Sequence, residues 1–109
     1  MVILLHGEMG AGKTMFTQKV VRAILGDQVN VTSPTFTIIN QYAPNIFHAD
    51  LYRIKAQSEL YNTDFFEILH GDNLFFIEWP YNNVDKAVYK DLKNVVNVYI
   101  DEKHKVTFN

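Results

Sequence analysis

Cysteine is absent from the chain, which excludes disulfides, thiolate metal sites and a cysteine nucleophile together. Arginine is scarce as well: Arg22 and Arg53 are the only two in 109 residues. That scarcity disfavours a small-molecule kinase, whose acceptor-binding lid is typically rich in arginine. Long hydrophobic runs are also missing. The N-terminal one, Val2 to Leu5, is too short for a signal peptide or a membrane span and has no basic leader. A reducing cytoplasm is therefore the expected home, without membrane attachment. Nor is there an excess of positive charge. A formal net charge of −2 argues against a protein that grips nucleic acid by bulk electrostatics. Any contact with RNA is expected to be indirect or weak. Repeats, low-complexity stretches and linkers do not occur, so residues 1–109 are expected to form one domain, able to bury roughly 60 to 70% of its unfolded surface.

What is present is a complete phosphate-binding loop. Residues 7 to 14 read Gly7-Glu8-Met9-Gly10-Ala11-Gly12-Lys13-Thr14, the form G-x-x-x-x-G-K-[ST]. An apolar strand-like run, Val2 to His6, feeds the loop. A helical pattern with Phe16, Val20 and Ile24 on one face leaves it and runs from about Lys13 to Leu25, where Gly26 stops it. Strand, loop and helix in that order are the context that makes the motif more than a string match. Glycines let successive N–H groups from Gly7 to Met15 face one anion, and the helix N-terminus adds partial positive charge. Lys13 can then reach the β- and γ-phosphates, and the Thr14 hydroxyl can ligate Mg²⁺. A nucleoside triphosphate, with ATP and Mg²⁺ as cofactors, is the expected ligand.

The rest of the chain suggests an α/β fold. A short extended piece is expected at Val29 to Val31, then a loop at Ser33-Pro34-Thr35. Strands over Phe36 to Ala43 and Ile46 to Arg53 flank a hairpin turn at Ala43-Pro44-Asn45. A helix is expected from Ser58 to His70, with Gly71 as its stop. Leu74 to Ile77 is an uninterrupted apolar run, which suits a strand buried on both faces. Asn83 to Lys93 reads as a helix with Val84, Ala87, Val88 and Leu92 inward; Lys86, Lys90 and Lys93 then share its opposite face, as a solvated stripe or a basic patch. Val95 to Ile100 and Lys105 to Phe108 form a closing hairpin.

A phosphate loop hydrolyses nothing alone; it needs a second metal carboxylate and a group to orient water. Asp50 is the candidate carboxylate. Period-two alternation puts Phe47, Ala49 and Leu51 on one face and His48, Asp50 and Tyr52 on the other. His48 could be read as a further ligand, although a hydrogen-bonded structural histidine is the simpler reading. Glu78 follows four apolar residues at the carboxyl end of a strand, where α/β sheets present catalytic groups, and can orient the attacking water. Trp79 suits core packing or an aromatic wall beside a base. Tyr61, Phe65 and Phe66 fit a core or a docking surface. Thr35 could add a hydroxyl to the metal or belong to an ordinary loop.

Four segments in this order resemble the TsaE family, formerly YjeE: Gly7 to Thr14, Ser33-Pro34-Thr35-Phe36, His48-Ala49-Asp50-Leu51-Tyr52-Arg53 and Glu78-Trp79-Pro80. Members are bacterial P-loop ATPases needed to make threonylcarbamoyladenosine in tRNA. The resemblance covers about Val2 to Pro80. It implies a compact three-layer P-loop NTPase-like fold with a mixed, mainly parallel central sheet. It also implies slow Mg²⁺-dependent ATP hydrolysis, stimulated by two partners, TsaB and TsaD. By the resemblance Lys13 and the loop backbone hold phosphates, Thr14, Thr35 and Asp50 gather round Mg²⁺, and Glu78 acts catalytically with Lys13. Members usually carry a segment ahead of the first strand, whereas Met1 sits almost on it here. They commonly have a glycine where this chain reads Tyr61-Asn62-Thr63-Asp64-Phe65. An ATP-dependent binding module without catalysis is the alternative from another functional class.

Overall fold

A computed structural model of the chain describes residues 1–29 and 37–109. The second residue of the expected extended piece onward, the Ser33-Pro34-Thr35 loop and Phe36 lie outside the described residues. Six strands form one sheet in the order β2-β3-β4-β1-β5-β6. They are β1 (Val2–His6), β2 (Ile39–Ala43), β3 (Ile46–Asp50), β4 (Leu74–Glu78), β5 (Val95–Ile100) and β6 (Val106–Phe108). The central four, β3, β4, β1 and β5, run parallel. Antiparallel hairpin partners, β2 and β6, close the two edges. The sheet is thus mixed and mainly parallel, as expected.

Apolar side chains leave the central strands on both faces, which is why these segments read as continuous hydrophobic runs. Ile3, Leu5, Phe76 and Val98 pack with Ala11 and Val21 under the helix α1 (Lys13–Leu25). Val2, Leu4, Phe75 and Ile77 pack on the other side with Leu60, Phe65, Ile68 and Tyr89. The resulting three layers are helix, sheet, and a second layer of short helical pieces. Among the described residues, no helix is long and apolar enough to cross a membrane.

The second layer departs from expectation. In place of one helix over Ser58 to His70 stand a 3₁₀ segment, Gln57–Asn62, and a short α2 (Phe65–His70) that does end at Gly71. Thr63 makes the break: its hydroxyl donates to the Leu60 carbonyl at 2.7 Å and accepts from the Phe65 amide at 3.1 Å. A hydroxyl that bonds locally to backbone competes with helix continuation. The helix expected over Asn83 to Lys93 shrinks to a 3₁₀ turn, Lys86–Tyr89. Asn83 adopts φ 57°, outside the helical range, and Asp85 caps the turn through the Ala87 amide at 2.9 Å. Ala87 is exposed, and the buried residue of this turn is Tyr89, whose hydroxyl donates to the Pro80 carbonyl at 2.7 Å. The lysines therefore do not share a helical face; Lys86 instead lies 5.0 Å over the Tyr81 ring. The strand expected to reach Arg53 ends at Asp50, because the Asp50 carboxylate accepts the Tyr52 amide at 3.0 Å and turns the chain.

Candidate nucleotide site

The loop between β1 and α1 needs glycine for reasons visible in its surroundings. A Cβ at Gly7 would lie 2.6 Å from the Ile100 carbonyl oxygen of the neighbouring strand. Gly12 adopts φ 106° and begins α1, with no side-chain hydrogen bond capping the helix. The first amides of α1 therefore remain directed at whatever occupies the loop, the arrangement that binds phosphate. Glu8, Met9 and Gly10 are exposed along the loop, Ala11 is buried beneath it, and Met15 is exposed on the first turn of the helix. His104, from the turn between β5 and β6, donates through Nδ1 to the Ala11 carbonyl at 2.7 Å and braces the loop from behind.

Lys13 is buried, and its ammonium donates to the carbonyls of Gly7 (2.7 Å) and Glu8 (2.9 Å). It sits 4.6 Å from the centre of the Trp79 ring. Burial lowers its pKa from the ordinary lysine value, and the nearby carboxylates Glu78, Asp50 and Glu8 oppose that shift. Burial likewise raises Asp50 above the ordinary aspartate value, the Tyr52 amide pulling the other way.

The parallel pairing of β3 and β4 makes Asp50 and Glu78 direct register partners at the carboxyl ends of their strands. Glu78 is in turn the register partner of Leu5 on β1, just ahead of the phosphate loop. Two adjacent strands thus deliver two carboxylates to the mouth of the loop. The Thr14 hydroxyl donates to Glu78, at 3.1 Å to Oε2 and 3.3 Å to Oε1. Glu78 is 4% exposed, and its Oε2 also meets His48 Nε2 at 2.5 Å. His48 is fully buried and bonds Tyr42 through its other ring nitrogen. The simpler sequence reading of His48, a hydrogen-bonded histidine, is the one the geometry bears out.

A cavity of about 650 Å³ opens here, between Gly10, Gly12, Lys13 and Thr14 on one wall and Asp50, Arg53, Glu78 and Trp79 on the other. Trp79 is half-buried and not core-packed. Its φ of 55° is unusual for a bulky residue and is sustained by packing on Tyr52, ring centres 5.1 Å apart. The loops that follow Asp50 and Glu78 are tied together by Asn82, whose amide donates to the carbonyls of Leu51 and Tyr52 at 2.8 Å each. Asn83 adds a bond to the Ile54 carbonyl at 2.9 Å.

Lys13, Thr14, Asp50 and Glu78 are therefore brought together, whereas Thr35 lies outside the described residues. Among the described residues no group of three His, Asp or Glu side chains is placed to cage a metal. Thr14 and Asp50 still offer the hard oxygen donors that suit Mg²⁺ carried in on a triphosphate, which takes one or two protein ligands besides phosphate and water. Sequence reasoning missed Tyr42, Asn82, Asn83 and His104. Asn82-Asn83 after Pro80 carried a turn signal that the following apolar spacing obscured; Tyr42 and His104 act across register and loop contacts that no local pattern announces.

Comparison with known proteins bears on the family and the fold. The profile of the family described as "Threonylcarbamoyl adenosine biosynthesis protein TsaE" matches residues 1–107. The chain belongs to the TsaE family. A tRNA threonylcarbamoyladenosine biosynthesis protein TsaE from Bacillus subtilis is 34% identical over 110 residues, covering 98% of this chain and 68% of that protein. One from Haemophilus influenzae is 31% identical over 109 residues, covering 96% and 67%. One from Rickettsia typhi reaches 43% over 81 residues, covering 72% of the chain but 56% of the relative; the Rickettsia matches thus span about half of those proteins. The crystal structure of Bacillus YdiB superposes with a TM-score of 0.56 at 27% identity, over 98% of this chain and 66% of that one. The mixed six-stranded TsaE fold is accordingly shared.

Proposed function

We propose that residues 1–109 act as one domain that binds ATP with Mg²⁺ and hydrolyses it in the cytoplasm, in service of threonylcarbamoyladenosine modification of tRNA. The observation that carries this reading is the convergence of Asp50 and Glu78, register partners, on the Thr14 end of the phosphate loop. In this reading the amides from Gly7 to Met15 cradle the phosphates, and Lys13 turns from the loop carbonyls toward the β- and γ-phosphate oxygens. Thr14 and Asp50, with Thr35 by the family resemblance, would hold the metal, which would supply neutralisation of phosphate charge. Glu78, at the end of β4, accepts a hydrogen bond from the attacking water and orients it. Trp79 and the Asn82 ties keep this wall of the cavity fixed.

The family resemblance points to TsaB and TsaD as partners, and the net charge of −2 to a tRNA contact that is indirect or weak. Steady-state phosphate release from ATP and Mg²⁺, with and without the TsaB–TsaD pair, tests the reading. Slow release alone that rises clearly with the pair is expected. Nucleotide binding with no release under either condition would replace it with a non-catalytic ATP-dependent binding module.

A further inference from the structure

We propose that His48, held in turn by Tyr42, is a positioning residue that aims the Glu78 carboxylate. The inference deepens the ATPase reading and rests on it. Among the described residues two side chains donate to Glu78, Thr14 and His48, and they differ in kind. The Thr14 bonds are 3.1 and 3.3 Å long and shared between both carboxylate oxygens. The His48 bond is 2.5 Å long and falls on Oε2. A carboxylate only accepts, so His48 Nε2 must carry the proton in this contact. In the neutral ring Nδ1 is then an acceptor, and the Tyr42 hydroxyl, 2.9 Å away, donates to it. Tyr42 thus selects the tautomer and ring orientation that serve Glu78, as outer partners of ligating histidines do.

The placement follows from the sheet. Ile46, His48 and Asp50 alternate onto the α1 side of β3, and Phe76 and Glu78 alternate onto the same side of β4. His48 pairs with Phe76 in register, one pleat inward from the Asp50–Glu78 pair. It is fully buried, so it reaches the cavity only through Glu78. With a metal bound, the Thr14 hydroxyl would serve as its ligand and no longer donate to Glu78. Among the described residues His48 is then the donor that remains, fixing Oε2 and leaving Oε1 to meet the water.

His48→Leu fills the space without the donor, and His48→Gln keeps a side-chain N–H. In phosphate-release assays with the TsaB–TsaD pair, His48→Leu is expected to lower kcat about 10- to 100-fold, with KM and nucleotide affinity little changed. His48→Gln should recover part of that loss, and Tyr42→Phe should show a smaller one. Equal kcat in His48→Leu and wild type, or a loss confined to KM, would overturn the proposal. A second readout is independent of turnover: the ring N–H proton of His48 by ¹⁵N-edited NMR. It should be strongly deshielded in the wild type, persist in Thr14→Ala and with a non-hydrolysable ATP analogue and Mg²⁺, and vanish from that position in Glu78→Ala. A wild-type spectrum lacking it, or one indifferent to Glu78→Ala, contradicts the proposal. A wild type that shows the proton but releases no phosphate condemns the ATPase reading and leaves the His48–Glu78 pairing standing.

Discussion

Among the described residues four polar side chains on the α1 side of the sheet, Lys13, Thr17, His48 and Glu78, are buried. On the opposite side the core consists of residues such as Leu60, Phe65, Ile68 and Phe75, with Tyr89 contributing its ring. Burying polar groups costs several kcal/mol each when they lack partners. Among the described residues every buried side-chain polar atom has one. The difference teaches that one face buries paired polar groups beside the phosphate loop and the other is built for cohesion, and that the pleat of β3 and β4 keeps them apart. Phe47, Ala49, Phe75 and Ile77 alternate to the apolar side, and His48 and Glu78 to the polar one.

Substitutions on each face should separate stability from binding. Phe75 is fully buried against Phe47 and Phe65, and Phe75→Ala should cost about 3–5 kcal/mol of folding stability. Urea titration measures this, and nucleotide affinity of the molecules that remain folded should be unchanged. On the polar side, Lys13→Ala should weaken ATP binding by about 100-fold, near 3 kcal/mol, because it removes charge-assisted contacts to phosphate. Calorimetric titration reads that directly, and the urea midpoint should move far less than in Phe75→Ala. A stability loss in Lys13→Ala as large as in Phe75→Ala would break the distinction between the faces.

The smallest expected effect concerns protons. Burial holds the Tyr42 phenol up to about 12, against an ordinary 10.0, and raises Tyr89 further. Between those values the unfolded chain has released a proton that the folded one keeps. Stability should therefore fall as pH rises from 10 toward about 12. Tyr42→Phe should flatten that decline in urea midpoints taken across the same range, though it starts from a lower stability.

The same contrast marks what the sequence makes legible. The polar side follows from one contiguous motif and one long periodic helix: the expected bounds of α1, Lys13 to Leu25, and of β1 are the observed ones. Asp50 and Glu78 could be named from strand-end position and alternation, but their adjacency depends on the parallel register of β3 and β4, which is tertiary. The apolar side was read less well. Its covering layer is made of pieces four to six residues long, and apolar spacing over Ser58 to His70 fits a helix whether or not Thr63 breaks it. In such short segments, local bonds from Thr63 and Asp85 outweigh helical periodicity.

The role proposed for Glu78 lies in the reaction and not in nucleotide capture. The most direct test compares Glu78→Ala with wild type in ATP affinity and in phosphate release, both with Mg²⁺ and the TsaB–TsaD pair. Retained ATP binding and lost release are expected of Glu78→Ala. Equal release from the two proteins would contradict it.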